Sequence, residues 1–166
     1  LPDQRGFERS VILADSGADN WSQRPYLPMY RTAQWYKDGQ PHQLPNEFYS
    51  SEYIVDQAIA QIDSQHGDGQ PFFSYVAFQA VHIPVQVPAA YRAMYESHYQ
   101  QGWSALREQR YRAAVAAGLV PPSTALTAMN STADWTALSN AQQREWARRM
   151  AVYAGMVQAM DHHIGR

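Results

Sequence analysis

Apolar positions along this chain follow two different periods. Val55, Ala58, Ile59 and Ile62 recur at the i, i+3, i+4, i+7 spacing of one helix face. Ser50 or Ser51 can cap that helix, Glu52 and Asp56 put negative charge near its positive end, and Gly67 offers a stop. Residues 72–78 are instead almost wholly apolar, the pattern of a strand covered on both faces. Residues 10–14 read as a shorter buried strand, closed by Asp15-Ser16-Gly17. Strand, helix and strand in that order predict a βαβ unit with a right-handed crossover.

Between the short strand and the helix lie Pro25, Pro28, Pro41 and Pro45, together with an Asp38-Gly39 pair. That pair predicts a hairpin, and Pro41 assigns it to an exposed edge. After Pro88 the pattern is helical, over about 88–99 and then 103–117, with Gly118 as the stop. A loop follows over 119–133, marked by Pro121-Pro122. Ser139 and Gln142 form a capping box for a last helix, in which Trp146, Met150, Tyr153, Val157, Met160 and Ile164 alternate steps of four and three. Such a stripe reads as core and needs a surface to cover it. Two buried strands do not make a self-sufficient sheet. The expectation is therefore an internal slice of a larger α/β domain, with residues 1–166 its central part, incomplete at both ends.

Composition sets outer bounds. With 166 residues, 45% of them hydrophobic, the chain can bury roughly 70% of its unfolded surface. A net charge of −2 gives it no electrostatic pull toward nucleic acid or an anionic membrane. No apolar run approaches the ~20 residues that span a bilayer. The absence of cysteine excludes disulfides and thiolate metal sites and leaves the compartment open. The chain begins at Leu1-Pro2 with no visible signal peptide, so loss of a leader is compatible with it.

Candidate chemistry centres on His82. The chain leaves the 72–78 stretch through Gln79, and an imidazole follows, stiffened by Pro84 and Pro88. Ligands of open α/β sheets gather just beyond strand carboxyl ends, so a titratable group there is a site candidate. The competing reading is a hydrogen-bonded loop histidine. His162 and His163 are adjacent on a helix, about 100° apart, so they cannot chelate one ion together; they are expected on the solvent side of the helix C-terminus. Asp161 is expected to cap or pair, and His66 and His98 to be solvated. Asn130-Ser131-Thr132 satisfies the glycosylation sequon.

The stretch around His82 resembles the histidine motif of the sulfatases, most closely the bacterial arylsulfatases. Pro71-Phe72-Phe73-Ser74-Tyr75-Val76-Ala77 and His82-Ile83-Pro84, with Pro88, fit that pattern. Gly6-Phe7-Glu8-Arg9-Ser10 resembles the family's G-F-D-R entry into a core strand. Residues 44–51 resemble its L-P-x-x-F-Y-S-S lead into a helix, and residues 160–166 its M-D-x-x-I-G-R helix end. The family also has an Asp-Asn pair that binds its ion, but beyond the I-G-R helix. Asp19-Asn20 occurs before His82, so the two are expected to be turn residues.

The resemblance implies an α/β, alkaline-phosphatase-like sulfatase domain, helix-rich with few strands in this segment. It implies hydrolysis of a small-molecule sulfate ester by a formylglycine nucleophile with a divalent cation, calcium in the bacterial members, neither held by this segment. His82 would supply a catalytic and substrate-binding group. The formylglycine motif C/S-x-P-x-R is absent here, so activity would require the remaining N- and C-terminal parts of the domain as partners, with no nucleic acid or membrane involved. A periplasmic or secreted location is compatible with the family. Two alternatives stand beside this reading: a related phosphoester hydrolase segment, and a non-catalytic module that packs against a partner.

Overall fold

The Asp38-Gly39 pair forms the hairpin that the sequence predicts. In the computed structural model, which describes every residue except Asp15, Ser16, His66, Asp68 and Ser131, the two residues take φ of 48° and 77°. Positive φ at both positions gives the tight two-residue turn whose twist suits the flanking strands. The turn joins β2 (Trp35–Lys37) to β3 (Gln40–His42), with Trp35 opposite His42. β1 (Val11–Leu13) lies antiparallel along the other side of β2. Pro41 is thus on an edge strand, as expected. The Asp38 carboxylate ties the turn back to the chain, accepting from the Ser10 N–H at 2.7 Å and from Arg9 Nε at 3.1 Å.

Trp35 anchors the first part of the core. Its buried ring stands edge-on to Phe48 at 5.6 Å and to Tyr53 at 6.2 Å. Tyr53 belongs to α1 (Ser50–Gln65), which begins at Ser50, so the two serines lie within its first turn rather than capping it, and the Ser50 hydroxyl donates to Asn20 instead. Its hydroxyl meets His42 Nε2 at 2.6 Å, joining helix to hairpin.

α4 (Asn140–Ile164) begins with the predicted capping box, Ser139 accepting from the Gln142 N–H and Gln142 from the Ser139 N–H. It packs against α1 and against α2 (Ala89–Ala93). Its buried face differs from the one the stripe predicts. Ala147, Ala151, Gly155, Met156, Ala159 and His163 face inward, whereas Trp146, Met150, Tyr153 and Val157 remain about two-fifths exposed. Small side chains decide this, because they let the α2 backbone come close. A Cβ on Gly155 would lie 3.0 Å from the Arg92 nitrogen.

α3 (Gly102–Ala116) and the Trp135–Ala137 turn of 3₁₀ helix meet through Trp103 and Trp135, whose rings cross at 83°. α2 is shorter than the predicted 88–99 helix, and residues 94–101 form turns. From Glu96 to Gln101 that stretch has no apolar stripe to bury, so only local hydrogen bonds favour a helix there.

The largest departure concerns residues 72–78, which form no strand. Phe72, Phe73 and Tyr75 are 64%, 78% and 75% exposed. Among the described residues, 72–78 make no backbone hydrogen bonds. The predicted βαβ unit is therefore absent, and β1 pairs with the hairpin instead. A strand exists only through its ladder, and among the described residues no strand pairs with this segment. It borders an open trough of about 1620 Å³, walled by Ile12, Ile54, Ile62, Phe72 and Tyr75 among others.

Candidate functional site

His82 lies in the turn that follows the extended segment, its N–H donating to the Gln79 carbonyl at 2.8 Å. The side chain is exposed. Its Nδ1 lies 2.6 Å from the Ile83 carbonyl oxygen. A carbonyl only accepts, so Nδ1 carries the proton and Nε2 is the basic nitrogen of the neutral ring. Gly17 lies close alongside: a Cβ there would be 3.2 Å from His82 Nδ1, and its φ of 155° already disfavours other residues. The Tyr26 ring stands at 86° to the imidazole, with centroids 5.6 Å apart. Chemically, such a group can accept a proton at Nε2, or, once protonated, donate one to an oxyanion or a departing oxygen.

Two loops meet beneath His82 and are joined by polar side chains. Gln79 Oε1 accepts from the Ala18 N–H at 3.0 Å. Asn20 donates from Nδ2 to the Pro84 carbonyl at 3.0 Å and from its backbone to Gln86 Oε1 at 2.8 Å. Its own Oδ1 accepts from Ser50 Oγ at 2.5 Å, which ties both loops to the start of α1. Gln86 Nε2 donates to Asp19 Oδ2 at 2.8 Å, and the Gln86 N–H points to the Met156 sulfur of α4 at 3.3 Å. The loop bearing His82 is thus held from three directions.

Asp19 and Asn20 were expected in a turn, and Asp19 does make one, accepting from the Trp21 N–H at 2.9 Å. They are also almost completely buried. Burial alone would raise the Asp19 carboxyl pKa. Hydrogen bonds from Gln86, the Trp21 N–H, Arg24 and Ser22 outweigh it and hold the group below its usual range. Nothing in the pattern of the chain marks Tyr26 or Gly17 as neighbours of His82. Gln86 did leave a signal, as a lone polar residue in the run from Pro84 to Pro88.

His163 departs from expectation. It is buried rather than on the solvent side of α4, between the rings of Tyr49 and Tyr91. Its Nδ1 lies 3.2 Å from Arg166 Nη1; arginine only donates, so this nitrogen accepts. Arg166 also bridges to Asp56 of α1 at 2.6 Å. Burial lowers the His163 pKa, and Arg166 and His162 add to that, against Glu52 and Asp56. His162 and His98 are exposed, as expected. His66 and Ser131 of the sequon lie outside the described residues.

The described residues form no cation site, and the sequence holds no C/S-x-P-x-R motif for a formylglycine. Among the described residues no three His, Asp or Glu side chains converge on a common point. Both Asp19 oxygens already accept hydrogen bonds, and the chain has no cysteine.

Comparison with known proteins converges on one family. The model of the family described as Sulfatase matches residues 3–166. An uncharacterised sulfatase of Schizosaccharomyces pombe is 32% identical over 99% of this chain and 31% of its own length. An arylsulfatase of Klebsiella aerogenes is 31% identical over 99% of this chain and 36% of its own length. Arylsulfatase J of Mus musculus is 42% identical over a shorter stretch, 31% of this chain. The chain spans about a third of the length of the first two relatives.

Proposed function

The chain belongs to the sulfatase family, and from that footing we propose that it forms the central part of a sulfuric ester hydrolase in which His82 acts on the ester. The observation that carries this reading is the state of the imidazole. It is exposed just past an apolar segment, its Nδ1 proton is committed to Ile83, and Nε2 has no hydrogen-bond partner among the described residues. Protonated at Nε2, His82 donates to a sulfate oxygen or to the ester oxygen as the S–O bond breaks, and the leaving alkoxide or phenoxide departs as the alcohol. Segments flanking this one supply the formylglycine and the divalent cation, so residues 1–166 alone are inactive. The same segments supply strands beside residues 72–78. The substrate is a small-molecule sulfate ester, and the arylsulfatase relatives favour an aryl one.

The test is His82→Ala in the protein extended by its native flanking segments, assayed on aryl sulfates of graded leaving-group acidity. Turnover should fall by about 10²–10⁴-fold, the range for a positioned acid or base. The loss should shrink as the leaving group improves, because a better one needs less protonation. His98→Ala should stay near wild type. Full turnover of His82→Ala across the series, or its failure to fold, would overturn the reading.

A further inference from the structure

An exposed imidazole turns among its rotamers in nanoseconds or less unless something holds it, and catalysis needs the ring in one orientation. Three contacts hold His82. The Ile83 carbonyl accepts from Nδ1–H, Gly17 runs close enough that a Cβ there would lie 3.2 Å from Nδ1, and Tyr26 stands against the ring at 86°. Tyr26 is itself well anchored. Its neighbour Pro25 bridges to Ala18, the Asp19 N–H donates to the Arg24 carbonyl at 2.9 Å, and the Asp19 carboxylate accepts from Arg24, Ser22 and the Trp21 N–H. That same carboxylate accepts from Gln86 on the His82 loop. One buried group therefore fixes the relative position of the histidine loop and the loop that presents the tyrosine.

We infer that Tyr26 is a positioning residue for His82, its ring holding the imidazole in the orientation that presents Nε2 to the ester. The inference rests on the catalytic role proposed for His82. T-shaped aromatic pairs at this separation have a favoured geometry of their own, which suits a contact that orients rather than reacts. The phenol hydroxyl has no part in it, so phenylalanine should serve as well.

The experiment uses the protein with its native flanking segments and an aryl sulfate as probe. Tyr26→Ala should lower kcat about tenfold with little change in KM, inside the roughly 10²-fold cost of misplacing a catalytic group by about 1 Å. Tyr26→Phe should restore it. Tyr26→Ala combined with His82→Ala should be no slower than His82→Ala alone, since a residue acting through His82 has nothing to act on once the imidazole is gone. The ¹⁵N shifts of the His82 ring should report a fixed Nδ1–H tautomer in the wild type and move toward the two-tautomer average in Tyr26→Ala. A deleterious His82→Ala beside a wild-type-like Tyr26→Ala overturns the inference alone. So does a double variant whose losses multiply, or a tautomer that Tyr26→Ala leaves fixed. A His82→Ala with full activity overturns the catalytic reading beneath it.

Discussion

Removing the Asp19 carboxylate strands Gln86 Nε2, the Trp21 N–H and the Ser22 hydroxyl together, whereas removing Arg24 deletes a side chain that is 72% exposed. Both changes break the same 2.7 Å ion pair, so the comparison separates the pair from the other three donors. Asp19→Ala should destabilise the protein by about 1–3 kcal/mol, since it removes several part-buried hydrogen bonds worth about 0.5–1.5 kcal/mol each. Arg24→Ala should cost less than about 1 kcal/mol, as exposed ion pairs do. Urea unfolding of the two variants measures both, and equal losses would mean that the ion pair, not the other three donors, holds the loops. At this scale the sequence marked His82 clearly, because one imidazole between an apolar run and two prolines has few precedents elsewhere in the chain. It left the depth of Asp19 and Asn20 illegible. A short polar pair followed by tryptophan and serine has the composition of a surface turn, and it becomes interior through distant partners: Ser50, Pro84 and Gln86, the last 66 residues further on from Asn20.

Helices α1 and α4 are fastened near Arg166 by a histidine that prefers to be neutral. Burial, first of all, holds the His163 pKa below the ordinary histidine value of 6.5, with Arg166 and His162 acting in the same direction and Glu52 and Asp56 of α1 opposing. As pH falls below about 6.5 the unfolded chain binds a proton there before the folded one does. The stability this site contributes is therefore complete above that pH and is lost as pH falls toward the folded-state value. Protonation at Nδ1 would also turn the acceptor of Arg166 into a competing donor. Thermal melts from pH 7.5 to 5 should show a decline that His163→Gln flattens; an equal decline in the variant would assign the effect to other groups. Elements with strong local chemistry were readable in advance: the hairpin from Asp38-Gly39, the last helix from Ser139 and Gln142. The buried face of α4 was not, because the helix has two apolar sides. The large residues carry the more conspicuous periodicity, while alanine and glycine make the contact that close backbone approach requires.

Across the whole molecule, residues 72–78 have the sequence of an interior strand and the surroundings of a surface one. The sequence predicts a strand there, joined to the 10–14 strand in a βαβ unit, but the segment is largely exposed and β1 pairs with the hairpin. No pattern within the chain could have revealed that. Strand pairing is a property of which segments meet, and only one segment of the prospective pair is legible here. The helix-rich, few-stranded character of the segment did follow from periodicity, together with the family to which the motifs pointed. The trough beside β1 and α1 is the counterpart of that exposed face, and the half-exposed Trp146 to Ile164 side of α4 is a second surface of the same kind. An extended, almost wholly apolar run of seven residues whose N–H and C=O groups have no backbone partner among the described residues is also a template for its own kind. Two copies of this chain can satisfy each other along residues 72–78, and nothing charged in Phe72-Phe73-Ser74-Tyr75-Val76-Ala77-Phe78 prevents it. Residues 1–166 in solution should therefore self-associate with rising concentration into thioflavin-binding aggregates, and Tyr75→Lys should suppress this by placing a charge at the centre of the run; light scattering that the lysine leaves unchanged would locate the sticky surface elsewhere. The segment proposed to join a larger sheet is thus also the one through which residues 1–166 would self-associate.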